Sequence, residues 1–269
     1  MIKIPILTYH ALHAPGWEYW TNDHVALETD LQLIKQLGFE VVSLVEIVDF
    51  LKNNKPWPTK PVIGLSFDDA TDHDFKDWSH PAYGYLKSFY TLIKEATTEG
   101  FNPKATSFVI ASAKARAILD KTCIAGRKQW NDDWWLNAAQ SGILDIGNHS
   151  WDHTHVNLDI VANADQIKGR FDQINNLNDA NLQIQQAETY IRSVIGDLSS
   201  RLFAYPYGDH NNYLIDEYFP TNKMLNAAFI TGGEYVTPES NIWKIPRFVC
   251  GENWKRPEEL EKILTMSYP

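Results

Sequence analysis

Short apolar runs alternate along this chain with segments of helical periodicity, and the alternation limits the folds open to it. Each run is bounded by turn-forming residues, which is typical of strands buried on both faces of a sheet. Strands separated by helices pair in parallel through right-handed crossovers. The predicted strands are Ile4–Thr8, Glu40–Ser43, Val62–Phe67, Ala105–Ile110, Ile143–Gly147, Leu202–Tyr205, Ala227–Ile230 and Trp243–Pro246. The predicted helices include Ala26–Leu37, Leu44–Asn53, Tyr83–Thr98, Asp132–Ser141 and Asn181–Ile195.

Seven or eight such units within 269 residues predict an α/β fold. We expect a distorted or incomplete (β/α) barrel of seven to eight parallel strands, with an open doubly wound sheet as the alternative. The sequence contains no low-complexity linker, repeat or charge block, which favours a single domain over residues 1–269. In both architectures the carboxyl ends of the strands form the functional face.

The formal net charge of −10 argues against nucleic acid as a partner, because phosphate binding requires clustered Lys and Arg. The segment Met1–Tyr9 has only a short apolar run, so we expect neither a signal peptide nor a membrane span. Two locations stay open, the cytoplasm and an exported form that has lost its leader. The oligomeric state also stays open.

Four residues near predicted strand ends have the chemistry of a metal site. His149 and His153 are four residues apart, a spacing that places two imidazoles on one face of a helical turn. Asp68 and Asp69 directly follow a predicted strand, so one carboxylate can bind a metal while the other reaches a water. Three protein ligands leave positions open for water and substrate, which indicates a hydrolytic site. Zn is the metal expected from these ligands, and Co, Ni or Fe would also fit.

Further candidates lie at other predicted strand ends. His10 follows the first strand and could supply the general acid that the reaction needs. Pro206 and Tyr207 form a turn after the sixth strand, where the Tyr207 backbone N–H could support an oxyanion and both residues could contact substrate. Trp151, inside the histidine motif, is a candidate for lining the cleft.

Together these motifs resemble the polysaccharide deacetylase superfamily, which has the NodB-homology fold and is also known as carbohydrate esterase family four. Leu65–Asp69 resembles its first motif, Thr-Phe-Asp-Asp-Gly, with Ala70 replacing the glycine. Ile146–His153 is similar to its second motif, His-Ser/Thr-x-x-His, and Phe203–Gly208 to its third, Phe-Arg-x-Pro-Tyr-Gly. The resemblance extends from about Ile4 to Phe248.

Two departures from the family pattern point to one branch. Ala204 replaces the usual arginine of the third motif, and the usual late Leu-x-His motif is absent. Both departures look like the branch that deacetylates poly-β-1,6-N-acetylglucosamine, whose motifs are circularly permuted. This resemblance implies His10 as the general acid and Arg247 as the residue that holds the base, with Arg201 as the rival.

The resemblance also implies a function. It implies a metal-dependent hydrolase that removes N-acetyl groups from a polymer or oligomer of N-acetylated amino sugar. Asp68 would be the base, and the metal ligands would be Asp69, His149 and His153. The alternatives are an amide hydrolase acting on a small non-polymeric substrate, and an inactive carbohydrate-binding relic. An insertion at residues 72–85 is interpreted either as a sugar-binding loop carrying Trp78, Tyr83 and Tyr85, or as surface packing.

Overall fold

The computed structural model describes residues 2–14, 16–80, 84–159, 161 and 168–268, and its main feature is a curled parallel sheet of eight strands. The strand order is β10-β1-β3-β6-β7-β8-β9, and β2 pairs with β3 outside this path. The strands of this sheet are β1 Ile6–His10, β2 Glu40–Val42, β3 Val62–Asp68, β6 Ala105–Val109, β7 Leu144–Asn148, β8 Ser199–Ala204, β9 Ala227–Phe229 and β10 Phe248–Val249.

The two ends of this strand order approach each other through one segment. Ile245 forms an isolated parallel bridge with Phe229 of β9, and β10 begins only three residues later and pairs with β1. The expectation of a distorted or incomplete barrel with seven to eight parallel strands is therefore confirmed. The last predicted strand, Trp243–Pro246, was misplaced, because the regular pairing with β1 occurs at Phe248–Val249.

Helices follow most strands, and side-chain caps set where several of them begin. Asn22, Ser43, Ser88 and Ser112 each accept hydrogen bonds from backbone N–H groups in the first turn that follows them. The helices are α1 Asp23–Gln36, α2 Leu44–Leu51, α3 Phe89–Ala96, α4 Ala113–Cys123, α5 Trp135–Ser141, α6 Leu177–Ala180, α7 Gln186–Ile195, α8 Phe219–Thr221 and α9 Pro257–Thr265. The helices α4, α6, α8 and α9 were not among those predicted. No helix in the described part of the chain has the length and apolar character needed to cross a membrane.

Side-chain alternation along the strands divides the sheet into an outer face and a barrel interior. Leu7, Tyr9, Leu65 and Phe67 belong to the large apolar cluster that also contains residues of α1, α3 and α9. Ile6, which alternates with these residues along β1, belongs to a second buried apolar cluster inside the barrel. A strand such as β1 therefore packs every second side chain against the outer helices and directs the others into the barrel.

The insertion at residues 72–85 contains an antiparallel hairpin of β4 (Trp78–His80) and β5 (Gly84–Leu86). The Trp78 ring packs 4.4 Å from the His73 ring, and the Arg127 guanidinium lies 4.6 Å from its centroid. Tyr85 is exposed and donates a hydrogen bond to Asp77. Tyr83 lies outside the described residues. The helix predicted from Tyr83 begins only at Phe89, since β5 occupies the preceding residues.

Candidate active site

The carboxyl ends of the central strands form one pocket of about 220 Å³. His10 ends β1 and pairs in register with Asp68, the last residue of β3. Asp69 follows β3, and His149 follows β7. Because parallel strands end on the same side of a sheet, residues far apart in sequence meet here. The pocket is lined by His10, Asp68, Asp69, His149, His153, His155, Tyr207, Gly208, Thr231, Val249 and Glu252.

Asp69, His149 and His153 bring three ligand atoms together. Asp69 Oδ1 lies 3.6 Å from His149 Nε2 and 3.4 Å from His153 Nε2. Three ligands placed about 2.1 Å from a tetrahedral ion would be separated by about 3.4 Å. These two separations match that spacing, and all three ligand atoms lie within 4.8 Å of one another, so the group could hold one divalent ion.

The loop that carries the two histidines is not helical, which corrects the expected helical turn. Ser150, His153 and Thr154 have left-handed φ values of 69°, 63° and 44°. Side chains hold this conformation: Ser150 N donates to Asn148 Oδ1 at 2.8 Å, and Thr154 N donates to Asp152 Oδ1 at 2.9 Å. The imidazoles converge because of these local hydrogen bonds and not because of helical periodicity.

The protonation of His149 follows from its hydrogen bond. His149 Nδ1 lies 2.9 Å from the carbonyl oxygen of Ala204. Since a carbonyl oxygen can only accept, Nδ1 carries a proton, which leaves Nε2, the nitrogen that faces Asp69, as the atom that could bind a metal. Burial, together with the nearby imidazoles of His149, His155 and His10, lowers the pKa of His153 well below its ordinary value. This lowered pKa favours the neutral form of the His153 imidazole, which is the form that binds metal.

Asp68 is held by Arg247. The Nη1 and Nη2 atoms of Arg247 donate to the two carboxylate oxygens of Asp68 at 2.7 and 2.8 Å. Burial raises the pKa of Asp68, but the Arg247 charge and hydrogen bond, together with His149 and His10, outweigh it and lower this pKa to about 2. Arg201, the rival, donates instead to the backbone carbonyls of Met224 and Lys223.

His10, at the end of β1, and Tyr207, in the turn after β8, both line the pocket. The backbone N–H of His10 donates to Asp23 Oδ2 at 2.7 Å, which fixes the end of β1 against α1. Tyr207 has a left-handed φ of 61°, and its ring lies 4.4 Å from the His153 ring. Burial raises the pKa of Tyr207 to about 12, so its hydroxyl stays protonated.

Two predicted contact residues do not line this pocket. Trp151 packs against the large apolar cluster, with its ring 6.0 Å from that of Tyr190, and lines a separate cavity beside α4. The non-helical loop turns Trp151 away from Asp69, which corrects its expected place in the cleft. Pro206 is buried beneath Tyr207 in the turn.

Several pocket residues were not expected from the sequence. His155 was not among the candidate residues, but the left-handed loop brings its ring to 5.6 Å from that of His153. Thr231 follows β9, Val249 ends β10 and Glu252 follows it. Their place after predicted strands was the only signal in the sequence, since each residue type is common in loops.

The family model for polysaccharide deacetylase matches residues 55–219 of the chain, and this stretch contains both aspartates and both histidines. The chain belongs to the polysaccharide deacetylase family. The expectation of a hydrolase acting on carbon–nitrogen bonds other than peptide bonds is confirmed at the level of this family.

Relatives of this polysaccharide deacetylase agree with the assignment. A poly-beta-1,6-N-acetyl-D-glucosamine N-deacetylase of Escherichia coli (strain K12) is 22% identical over 263 residues, covering 90% of this chain. The chain spans about a third of the length of that relative, 35%.

Solved structures share the fold. The Streptococcus pyogenes deacetylase PplD, in complex with acetate, has a TM-score of 0.68 at 19% identity over 98% of both chains. IcaB from Ammonifex degensii has a TM-score of 0.66 at 17% identity, covering 100% of this chain and 98% of its own.

Proposed function

We propose that this polysaccharide deacetylase removes N-acetyl groups from an N-acetylglucosamine polymer or oligomer. The observation that carries the proposal is one pocket with an Asp-His-His ligand group, a buried aspartate held by arginine, and a histidine at the neighbouring strand end. The likeness to the Escherichia coli poly-beta-1,6-N-acetyl-D-glucosamine N-deacetylase supports an N-acetylated amino-sugar polymer as the substrate.

Asp69, His149 and His153 would hold a divalent ion, for which Zn is our expectation from the nitrogen and oxygen ligands. The fit rests on the ligand separations and on the hydrogen bond from His149 Nδ1 to Ala204, which turns Nε2 toward Asp69. When bound, such an ion lowers the pKa of water and polarises the acetyl carbonyl.

Asp68 is the proposed general base. Its two hydrogen bonds with Arg247 use one lone pair on each carboxylate oxygen, so lone pairs remain to accept a proton from the attacking water. Arg247 also fixes the orientation of the carboxylate, since a bidentate pair restricts rotation about the side-chain bonds.

His10 is the proposed general acid. It lies beside Asp68 in the strand register and lines the same pocket, so it can give a proton to the amine nitrogen as the C–N bond breaks. The Tyr207 backbone N–H is proposed to donate to the oxygen of the former carbonyl. Acetate and a free amine are the products.

The test is acetate release from β-1,6-linked N-acetylglucosamine oligomers by Zn-loaded protein. Activity on oligomers that exceeds activity on the N-acetylglucosamine monomer and on small cyclic amides supports the proposal. The Asp68→Asn variant is the control, since it removes the base and keeps the side-chain size. Hydrolysis of small amides alone would favour the non-polymeric alternative, and inactivity on all substrates despite bound metal would favour the binding relic.

A further inference from the structure

The turn that carries Asp69 has a backbone conformation that side chains disfavour. Asp69 and the following Ala70 have φ values of 67° and 43°, both in the left-handed region. Neither residue is glycine, which alone adopts this region without steric cost. Ala70 is buried, so solvent does not stabilise the turn. Such a conformation persists only where neighbouring groups hold it in place.

The neighbouring groups come from residues 128–132, which we name the clamp segment. The indole Nε1 of Trp130 donates to the backbone carbonyl of Asp69 at 3.0 Å. Asp72 N donates to Gln129 O at 2.8 Å, and Asn131 donates to both carboxylate oxygens of Asp72 at 2.7 and 2.9 Å. These contacts span the left-handed turn on both sides.

The clamp segment is itself fixed to α4. The backbone N–H groups of Lys128 and Gln129 donate to the Asp120 carboxylate at 3.0 and 2.8 Å. Arg116, which is 2% exposed, donates to Trp130 O at 3.4 Å and to Asp132 at 2.5 Å. Trp130 is therefore held by a buried guanidinium while it holds Asp69.

We propose that Trp130 is a positioning residue that sets the place of the Asp69 carboxylate opposite His149 and His153. Without the indole N–H, the Asp69 carbonyl loses its partner and the left-handed turn relaxes toward ordinary backbone angles. The ligand separations of 3.4 and 3.6 Å then change, and the affinity for a divalent ion falls. This inference rests on the proposed role of Asp69 as a metal ligand.

The experiment titrates Co²⁺ into metal-free protein and follows its visible absorption band, which reports the ligand geometry independently of turnover. Trp130→Phe keeps the ring packing and removes the N–H. We expect it to weaken Co²⁺ binding about tenfold or more and to change the band. Trp134→Phe is the matched control, because its buried indole N–H has no hydrogen-bond partner among the described residues.

Rescue separates positioning from general stability. Adding Ala70→Gly to Trp130→Phe removes the steric cost of the turn, so most of the lost Co²⁺ affinity should return. A merely structural role would predict no such rescue. Asn131→Ala changes an exposed residue and removes its side-chain hydrogen bond to Asp72, so it should weaken Co²⁺ binding less than Trp130→Phe does.

Unchanged Co²⁺ affinity and absorption in Trp130→Phe would overturn the inference while leaving the metal site intact. The inference would also be overturned if Trp130→Phe and Trp134→Phe lost Co²⁺ affinity equally and Ala70→Gly did not restore it. If the unaltered protein bound no Co²⁺, the proposed metal site would fail, and the role of Trp130 with it.

Discussion

Arg247 and Asp68 lie 179 residues apart and form a buried bidentate ion pair with hydrogen bonds of 2.7 and 2.8 Å. The Arg247 side chain has 0% and the Asp68 side chain 5% of its surface exposed. Two buried charges pay a large desolvation cost, so the pair is stable only because its geometry is good and Arg247 also donates to Ser66 and Ile230. We interpret this arrangement as keeping Asp68 ionised and oriented in the pocket.

Replacing Arg247 should change the pH dependence of turnover. In Arg247→Met, burial remains as the main influence on Asp68, so the pKa of Asp68 rises above its ordinary value of 3.8. Asp68 must be ionised to accept a proton, so the acid limb of kcat/KM for acetate release should move to higher pH. Breaking a buried pair also lowers the free energy of unfolding, by about 3–5 kcal/mol.

Arg201→Met is the control for this prediction, because the Arg201 guanidinium donates, among the described hydrogen bonds, to the backbone carbonyls of Lys223 and Met224 and not to Asp68. It should leave the acid limb in place. If kcat/KM of Arg247→Met fell at every pH while the acid limb stayed at the same pH, Arg247 would not control the charge of Asp68.

Metal content should separate the two aspartates. Asp69→Ala removes one of three ligand atoms, so bound Zn and activity should fall together. Asp68→Asn leaves the ligand group intact, so it should retain Zn while acetate release falls about a hundredfold or more. Metal analysis of both purified variants, after dialysis at equal Zn concentration, checks this. Zn retained in Asp69→Ala and lost in Asp68→Asn would reverse the two assignments.

The strand ends could be predicted because periodicity and topology determine them. Val62–Asp68 is buried at every position, as the mostly apolar sequence of Val62–Phe67 indicates. Parallel pairing then brings His10, Asp68 and the residues after β7 to one end of the sheet. The contact between Arg247 and Asp68 depends on a separation of 179 residues, and only the family resemblance pointed to it.

The loops could not be predicted because tertiary contacts override local propensity there. Spacing alone favoured a helical turn from His149 to His153, but the side chains of Asn148 and Asp152 stabilise left-handed residues. The place of Trp151 and His155 depends on those angles. Likewise, nothing near Asp69 in the sequence indicates that Trp130, 61 residues away, donates to its carbonyl.

Replacing His10 should affect only substrates whose leaving group needs a proton. His10→Ala should retain Zn and lose acetate release from N-acetylglucosamine oligomers about a hundredfold or more, because the amine is a poor leaving group. With 4-nitrophenyl acetate, whose phenolate leaves without protonation, the same variant should keep most of its activity. His155→Gln, a change in the same pocket, is the control and should keep both activities. Equal losses on both substrates in His10→Ala would assign His10 a role other than proton donation.

A buried carboxyl away from the pocket should make the stability of the fold depend on pH. Asp30 is 0% exposed and accepts hydrogen bonds from Tyr9 at 2.9 Å, Tyr19 at 2.6 Å and Trp254 at 3.3 Å. Burial raises the pKa of Asp30 to about 7 despite these donors.

The folded chain thus favours the protonated form of Asp30. Its contribution to stability is fully present below the ordinary pKa of 3.8 and is lost as pH rises toward about 7. We expect the free energy of unfolding of Asp30→Asn to increase relative to the unaltered protein between pH 4 and 7, by about 4 kcal/mol at most. Urea unfolding at pH 4, 5, 6 and 7 measures it, with the exposed Asp159→Asn as control. If the difference between Asp30→Asn and the unaltered protein stays constant with pH, the carboxyl titrates alike in both states and burial does not control it.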